Sequence, residues 1–279
     1  MGTEKRERQK QNRQQRLTEL AQQQKRAKTK KRALQFGVGI PALVLALFLI
    51  VNVFSGDDND NAAVDSVPAD TTPAVTQSTL NVTTVPGVPV TGDTPCPKTD
   101  GTQDRSTLFE KSPTMCIDPA KSYTATFDTS EGEIVVALDT TKTPETVNNF
   151  VVLSRYKYYD NTQIFRTDPS IDIIQGGGFT NSDTPGYTIE DEADGFTYTE
   201  GDLAMARTSE PNSAGGQWFF VAGPKASALD SQGTYVNFGK VTEGLDVVKN
   251  ILALNMVDAG GGDKPSRTVV VNSVTIIES

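Results

Sequence analysis

The chain has 279 residues, which is enough for at most two domains of ordinary size, about 150 residues each. Its net charge of -9 is unevenly distributed, because residues 1–35 hold 12 of the 26 basic residues and only 3 of the 35 acidic ones. The acidic remainder disfavours a nucleic acid partner. The sequence has no histidine, which excludes His-dependent nucleophiles and imidazole zinc sites, and two cysteines cannot form a Cys₄ metal site. We expect no metal and no other cofactor.

The first element in chain order is an apolar segment. Residues 36–54, FGVGIPALVLALFLIVNVF, carry no charge and have the length of a membrane-spanning helix. A buried core helix and a cleaved signal peptide are the alternatives, but the segment has no polar stripe and its leader is long for a signal peptide. We therefore predict an uncleaved anchor, with membrane lipid as its partner. Basic residues before the span and acidic residues after it predict a cytoplasmic N-terminus and an extracytoplasmic remainder.

The segments on either side of residues 36–54 have compositions that do not favour folding. Residues 1–35 are rich in Gln, Lys and Arg, which predicts a solvated topology signal or a contact with anionic lipid or a cytoplasmic partner. Residues 55–94 are rich in Thr, Pro and Asp without a lasting period, and we predict a disordered linker.

Both cysteines lie in residues 95–121, which we predict to be a separate extension before the main domain. On the outer side of a membrane a disulfide between Cys96 and Cys116 would persist. Two independent thiols are the alternative. A redox role is not expected, because the spacing is not Cys-x-x-Cys.

From residue 122 the pattern changes to short strands. Tyr123–Phe127 and Ile134–Leu138 flank a turn and predict a hairpin, and Thr143 and Pro144 predict the start of a helix. Further strands are expected at 163–166, 171–175, 203–206, 218–222, 236–241 and 269–277, with a second helix near 245–254. Two helices among about eight short strands suggest a closed antiparallel barrel.

Three motifs in this region resemble those of a known family. They are YYDNTQIFRTDPSIDIIQGGGF at 158–179, LAMARTSEPNSAGGQWFF at 203–220 and LDSQGTYVNFGKVTEGLDVVKNI at 229–251. Their order and spacing are similar to those of cyclophilin-type peptidyl-prolyl cis-trans isomerases, here in a membrane-anchored, bacterial-like form. The resemblance covers residues 122–279. It implies a mostly β fold, a closed eight-stranded antiparallel barrel with two capping helices.

The resemblance also implies a site. Arg166 stands at the position of the arginine that stabilises the twisted X-Pro amide, and Gln175 matches the glutamine that binds substrate and orients the arginine. One extra residue between them leaves open whether Ile171 or Asp172 replaces the family's aromatic wall. The residues implied to bind substrate are Ile173, Met205, Ala206, Arg207, Gln217, Phe219, Leu229 and Tyr235. Periodicity alone would instead place Met205 and Phe219 in the core.

These expectations together predict a prolyl isomerase that assists the folding of exported proteins and binds their proline-containing segments. A catalytically weak module that binds proline segments and a membrane-tethered scaffold are the alternatives. The acidic run at residues 190–194 lacks the spacing of a calcium loop and predicts a solvated loop.

Overall fold

The computed structural model describes residues 87–257 and 262–279. The predicted leader (1–35), the predicted span (36–54) and the linker up to residue 86 lie outside this part of the chain. Within the described residues, neither α-helix has the length and apolarity needed to cross a bilayer.

The described chain forms a predominantly antiparallel β structure with two α-helices. The predicted hairpin is β1 and β2, which pair directly from Tyr123↔Leu138 to Thr129↔Gly132. The strands and helices are β1 Tyr123–Thr129, β2 Gly132–Leu138, α1 Pro144–Arg155, β3 Thr162–Gln163, β4 Arg166–Asp168, β5 Ile173–Gly176, β6 Asp202–Met205, β7 Trp218–Val221, β8 Asn237–Glu243, α2 Leu245–Ala253, β9 Asn255–Val257, β10 Asp263–Pro265 and β11 Val270–Glu278.

The prediction of a closed eight-stranded barrel is wrong in strand number and in closure. The main sheet has nine strands in the order β3-β11-β1-β2-β8-β6-β7-β5-β4, and its two end strands do not pair, so the barrel is open. The predicted single strand at 163–166 is divided because the chain changes partner within it. The Ile164 amide donates to Val269 beside β11, whereas the Phe165 amide donates to Gln175 in β5.

Helix α1 begins with Pro144, as predicted, but the side chain of Thr143, which was expected to cap the helix, makes no capping hydrogen bond. The Thr143 hydroxyl donates to the Asp139 carbonyl instead of capping the helix. The carboxylate of Glu192 accepts the free amides of Glu145 and Thr146 at 2.9 and 2.8 Å. An acidic side chain at this end also complements the helix dipole. Part of the acidic run expected to be solvated therefore closes a helix end.

The core divides according to the two faces of the sheet. Side chains on the inner face of the sheet, including Phe127, Trp218 and Phe220, pack inside the barrel with Phe150 of α1. The alternate side chains of β5, β6 and β7 point to the outer face, where they form a smaller apolar cluster. Because successive strand residues point to opposite faces, a single strand contributes to both clusters.

The extension before the main domain is ordered and packed, and Cys96 and Cys116 form the predicted disulfide. Its predicted start at residue 95 is too late, because Val90 already bridges to Phe109 and Thr94 is buried. The last residues of the predicted linker, from residue 87, therefore belong to this extension. Ile117 joins the main core from the same segment.

Candidate active site

The site begins with one row of residues across three strands. Arg166 of β4 lies directly opposite Gln175 of β5, which in turn lies opposite Phe219 of β7. Residues opposite each other in an antiparallel sheet present their side chains on the same face. The row therefore places a cation, an amide and an aromatic ring side by side on the outer face of the barrel.

The Arg166 guanidinium is held from two sides. Its Nη1 donates to Oε1 of Gln175 at 3.0 Å, and its Nη2 donates to Oδ2 of Asp168 at 2.5 Å. Asp168 is fixed in turn by the amide and hydroxyl of Ser170. These two bonds use two of the five N–H groups of a guanidinium. Arg166 also lines the cavity described next, so the cation is both oriented and accessible.

A cavity of about 260 Å³ opens beside Arg166. Six of its ten lining residues are aliphatic or aromatic, and this apolar part of the wall suits a small ring such as that of proline. Of the residues implied by the resemblance, it brings together Arg166, Gln175, Ile173, Ala206, Arg207, Phe219, Leu229 and Tyr235. Two further residues, Ile171 and Asn181, complete the lining.

Aromatic packing forms one side of this cavity. The rings of Phe219 and Tyr235 meet edge to face at 5.4 Å, and Tyr198 packs behind both. The Tyr198 hydroxyl accepts the Tyr235 amide and donates to the Tyr235 carbonyl, so it fixes the backbone that carries this wall. Burial raises the pKa of Tyr198 to about 12. Tyr198 was missed from the sequence because no motif marks it.

Met205 does not reach the cavity, contrary to its implied role. Met205, in β6, lies opposite Trp218 of β7 and is fully buried inside the barrel. The neighbouring Ala204 points to the outer face and belongs to the outer apolar cluster, and Ala206 lines the cavity. The period of two along a strand explains the error, since residues 204 and 206 share a face that Met205 cannot share.

Asp172 lies in the segment that has one extra residue between Arg166 and Gln175, and its φ of 49° is in the left-handed region. Asp172 turns away to accept bonds from the amide and Nζ of Lys225, so Ile171 and not Asp172 lines the cavity. The turn also delays the start of β5 to Ile173, two residues after the predicted start.

Gln217 connects Gln175 to a neighbouring loop. Gln175 Nε2 donates to Gln217 Oε1 at 2.9 Å. Gln217 Nε2 donates to the carbonyls of Asn181 and Asp183 at 3.1 and 2.9 Å. Gln217 also lines a second cavity of about 370 Å³, whose lining residues are mostly polar and which shares Gln175, Asn181, Ala206 and Arg207 with the first.

Arg207 lies between the two cavities, where its side chain is almost buried. Its guanidinium pairs with Asp191 at 2.9 Å and donates to the carbonyls of Thr234, Glu210 and Thr208. It therefore ties three loops together around the groove, a role that sequence reasoning did not foresee.

The family model for cyclophilin-type peptidyl-prolyl cis-trans isomerase/CLD matches residues 124–276, more than half of the chain. The chain belongs to this family. It is 38% identical over 164 residues to peptidyl-prolyl cis-trans isomerase cyp18 of Streptomyces antibioticus, covering 55% of this chain and 98% of that protein. It is also 38% identical over 164 residues to peptidyl-prolyl cis-trans isomerase B of Escherichia coli (strain K12), covering 55% of this chain and 99% of that protein.

The crystal structure of a Cryptosporidium parvum cyclophilin-type isomerase shares the fold, with a TM-score of 0.50 and 24% identity over 57% of this chain and 99% of that one. The cyclophilin domain of this chain is a peptidyl-prolyl cis-trans isomerase. Its described residues contain no group of three or more potential metal ligands.

Proposed function

We propose that Arg166 is the catalytic donor of this isomerase and that the adjoining cavity holds the proline ring. The observation that carries the proposal is the placement of an oriented guanidinium in the wall of a small cavity, beside aliphatic and aromatic side chains. Gln175 orients the guanidinium and contacts substrate, while Ile173, Phe219, Leu229 and Tyr235 surround the ring. Ala206, Arg207 and Gln217 lie along the groove for the neighbouring peptide residues.

The chemistry needs little more than this arrangement. Rotation about an X-Pro bond faces a barrier of about 18–20 kcal/mol, because amide resonance is lost in the twisted state. The prolyl nitrogen regains a lone pair there and can accept a hydrogen bond from Arg166. Because this hydrogen bond is weaker in the planar ground state, it stabilises the transition state more than the bound substrate and so lowers the barrier to rotation. No bond to carbon is formed or broken.

Cis/trans exchange of X-Pro peptides by the full chain, purified in a mild detergent, tests this function. Exchange well above the uncatalysed rate, lost on substitution of Arg166, is expected. Peptide binding without acceleration would instead favour the proline-segment binding module. Neither binding nor acceleration would favour the scaffold.

We further propose that the isomerase is anchored in a cell membrane by residues 36–54 and acts on proline-containing segments of exported proteins. The charge-free apolar segment, the excess of basic residues before it and the disulfide after it support this orientation. Protease added to spheroplasts should remove the isomerase domain and leave the basic leader protected. Protection of the domain, with fused reporters active in the cytoplasm, would reverse the orientation.

A further inference from the structure

We propose that Phe109, which lies in the extension before the matched family domain, is a positioning residue for the peptide groove. It acts through residues 179–189, which we call the wall loop because its Asn181, Ser182, Asp183, Thr184 and Thr188 line the polar cavity beside the proline pocket. The proposal rests on the isomerase activity of the domain and adds a determinant that lies outside residues 124–276.

Phe109 contacts the wall loop through both its backbone and its ring. Its amide donates to the Pro185 carbonyl at 2.7 Å, and its ring meets that of Tyr187 edge to face, with centroids 6.2 Å apart. Gly186 has a φ of +103°, and a Cβ there would lie 2.4 Å from the Phe109 carbonyl oxygen. Glycine thus allows the two backbones to touch.

The other side of Phe109 is held by the main domain. Its ring packs edge to face on Tyr156 at the end of α1, with centroids 5.1 Å apart, and is almost fully buried. The Tyr156 hydroxyl donates to the Pro95 carbonyl, next to the disulfide, and its own carbonyl accepts the Ser106 amide. Phe109 therefore packs between the end of α1 and the wall loop.

The wall loop leads directly to the candidate catalytic row. The carbonyls of Asn181 and Asp183 accept both bonds of the Gln217 amide nitrogen, and Gln217 in turn accepts from Gln175, the partner of Arg166. Displacement of the loop would remove acceptors from Gln217 and shift a wall of the groove. Because a misplacement of about 1 Å can lower a rate by about 10²-fold, even a partial displacement of the loop should be measurable.

The test compares kcat and KM of the full chain for a proline peptide long enough to occupy both cavities, at a temperature where all variants are folded by circular dichroism. Phe109→Ala should lower kcat/KM by about 5–20-fold, and Phe109→Leu, which keeps most of the volume, should recover most of it. Ile117→Ala is the matched control, since it truncates a buried side chain of the same extension that packs in the main core. Its kcat/KM should stay within about twofold.

A second variant approaches the contact from the loop. Gly186→Ala leaves Phe109 and Arg166 intact but forces the wall loop away from the Phe109 carbonyl, and the same loss of kcat/KM is expected. The nitrogen resonance of the Gln217 side-chain amide should shift in Phe109→Ala and Gly186→Ala, but not in Ile117→Ala. If Phe109→Ala does not fold, Gly186→Ala decides.

Full activity and an unshifted Gln217 resonance in Phe109→Ala and Gly186→Ala would overturn the proposal. A wild-type chain without isomerase activity would contradict the assigned activity instead, and the Gln217 resonance would still test the positioning.

Discussion

Arg166 and Gln175 face each other across β4 and β5, and a 3.0 Å hydrogen bond joins their side chains. The antiparallel register alone brings them together, although they are nine positions apart in the chain. Gln175 donates a hydrogen bond to Gln217, which donates in turn to a carbonyl of the wall loop. The orientation of the guanidinium is therefore a property of the sheet and of a loop that packs on it.

Arg166→Ala is expected to lower kcat/KM by about 10²–10³, or about 2.7–4 kcal/mol, the usual effect of losing one preorganised donor. Arg166→Lys should recover only part of this loss, because an ammonium has no planar fork to serve Gln175, Asp168 and substrate together. Arg267→Ala is the matched control, since it truncates an exposed arginine whose partner is Glu131. Near-full activity of a folded Arg166→Ala variant in the peptide exchange assay would show that the donor is another residue.

Arg207→Ala is expected to destabilise the fold by about 3 kcal/mol, because it leaves the Asp191 carboxylate with its charge uncompensated in a mostly buried position. Asp191→Asn should cost less, and adding it to Arg207→Ala should recover part of the stability. Urea unfolding measures all three. Lys249→Ala, which breaks an exposed ion pair with Glu200, should cost less than about 1 kcal/mol. Equal losses for Arg207 and Lys249 would contradict the role given to the buried pair.

The Cys96–Cys116 disulfide closes a loop with a sequence separation of 20 residues, for which the chain-entropy model gives about 3 kcal/mol. Replacing both cysteines by serine should therefore lower the unfolding temperature of the wild-type chain, and a reducing agent should have the same effect. The serine variant should not respond further to the reducing agent. An unchanged transition in every case would show that hydrogen bonds such as Cys116 amide to Asn148 hold the extension without the disulfide.

Stability toward acid should depend on Glu278. Hydrogen bonds first from Lys121 and then from Arg155 hold the pKa of this carboxyl below its ordinary value of 4.5. Its contribution to stability is therefore present above the unfolded pKa and is lost as the pH falls through the lower folded pKa. Glu278→Gln should reduce the acid-dependent part of the unfolding free energy, measured by urea titrations between pH 3 and 7.

Asp160 provides a contrast of opposite sign. Burial raises the pKa of its carboxyl, so the ionised form works against folding. Asp160→Asn should stabilise the protein near neutral pH and gain less as the pH falls. A parallel response of the Glu278 and Asp160 variants would contradict these two assignments.

The sequence by itself located the first hairpin, both helices and most of the residues that line the cavity. Two short strand-like runs flanking a turn located β1 and β2, Pro144 marked the start of α1, and the three motifs contain Arg166, Gln175 and most of the cavity wall. Motif residues are informative here because short strands with a fixed register carry them to one face. The isomerase class followed from the same residues.

Only the tertiary structure showed which face of the sheet each strand residue points to and which residues far apart in the chain are in contact. Met205 and Ala206 are adjacent in the motif, but the alternation of strand side chains sends only Ala206 to the cavity. Glu192 and Asp191 belong to an acidic run that composition assigns to solvent, but one closes α1 and the other pairs with Arg207. Such contacts join residues far apart in the chain, so no local pattern predicts them. The same holds for Phe109, whose place against the wall loop exists only after the extension has packed on the barrel.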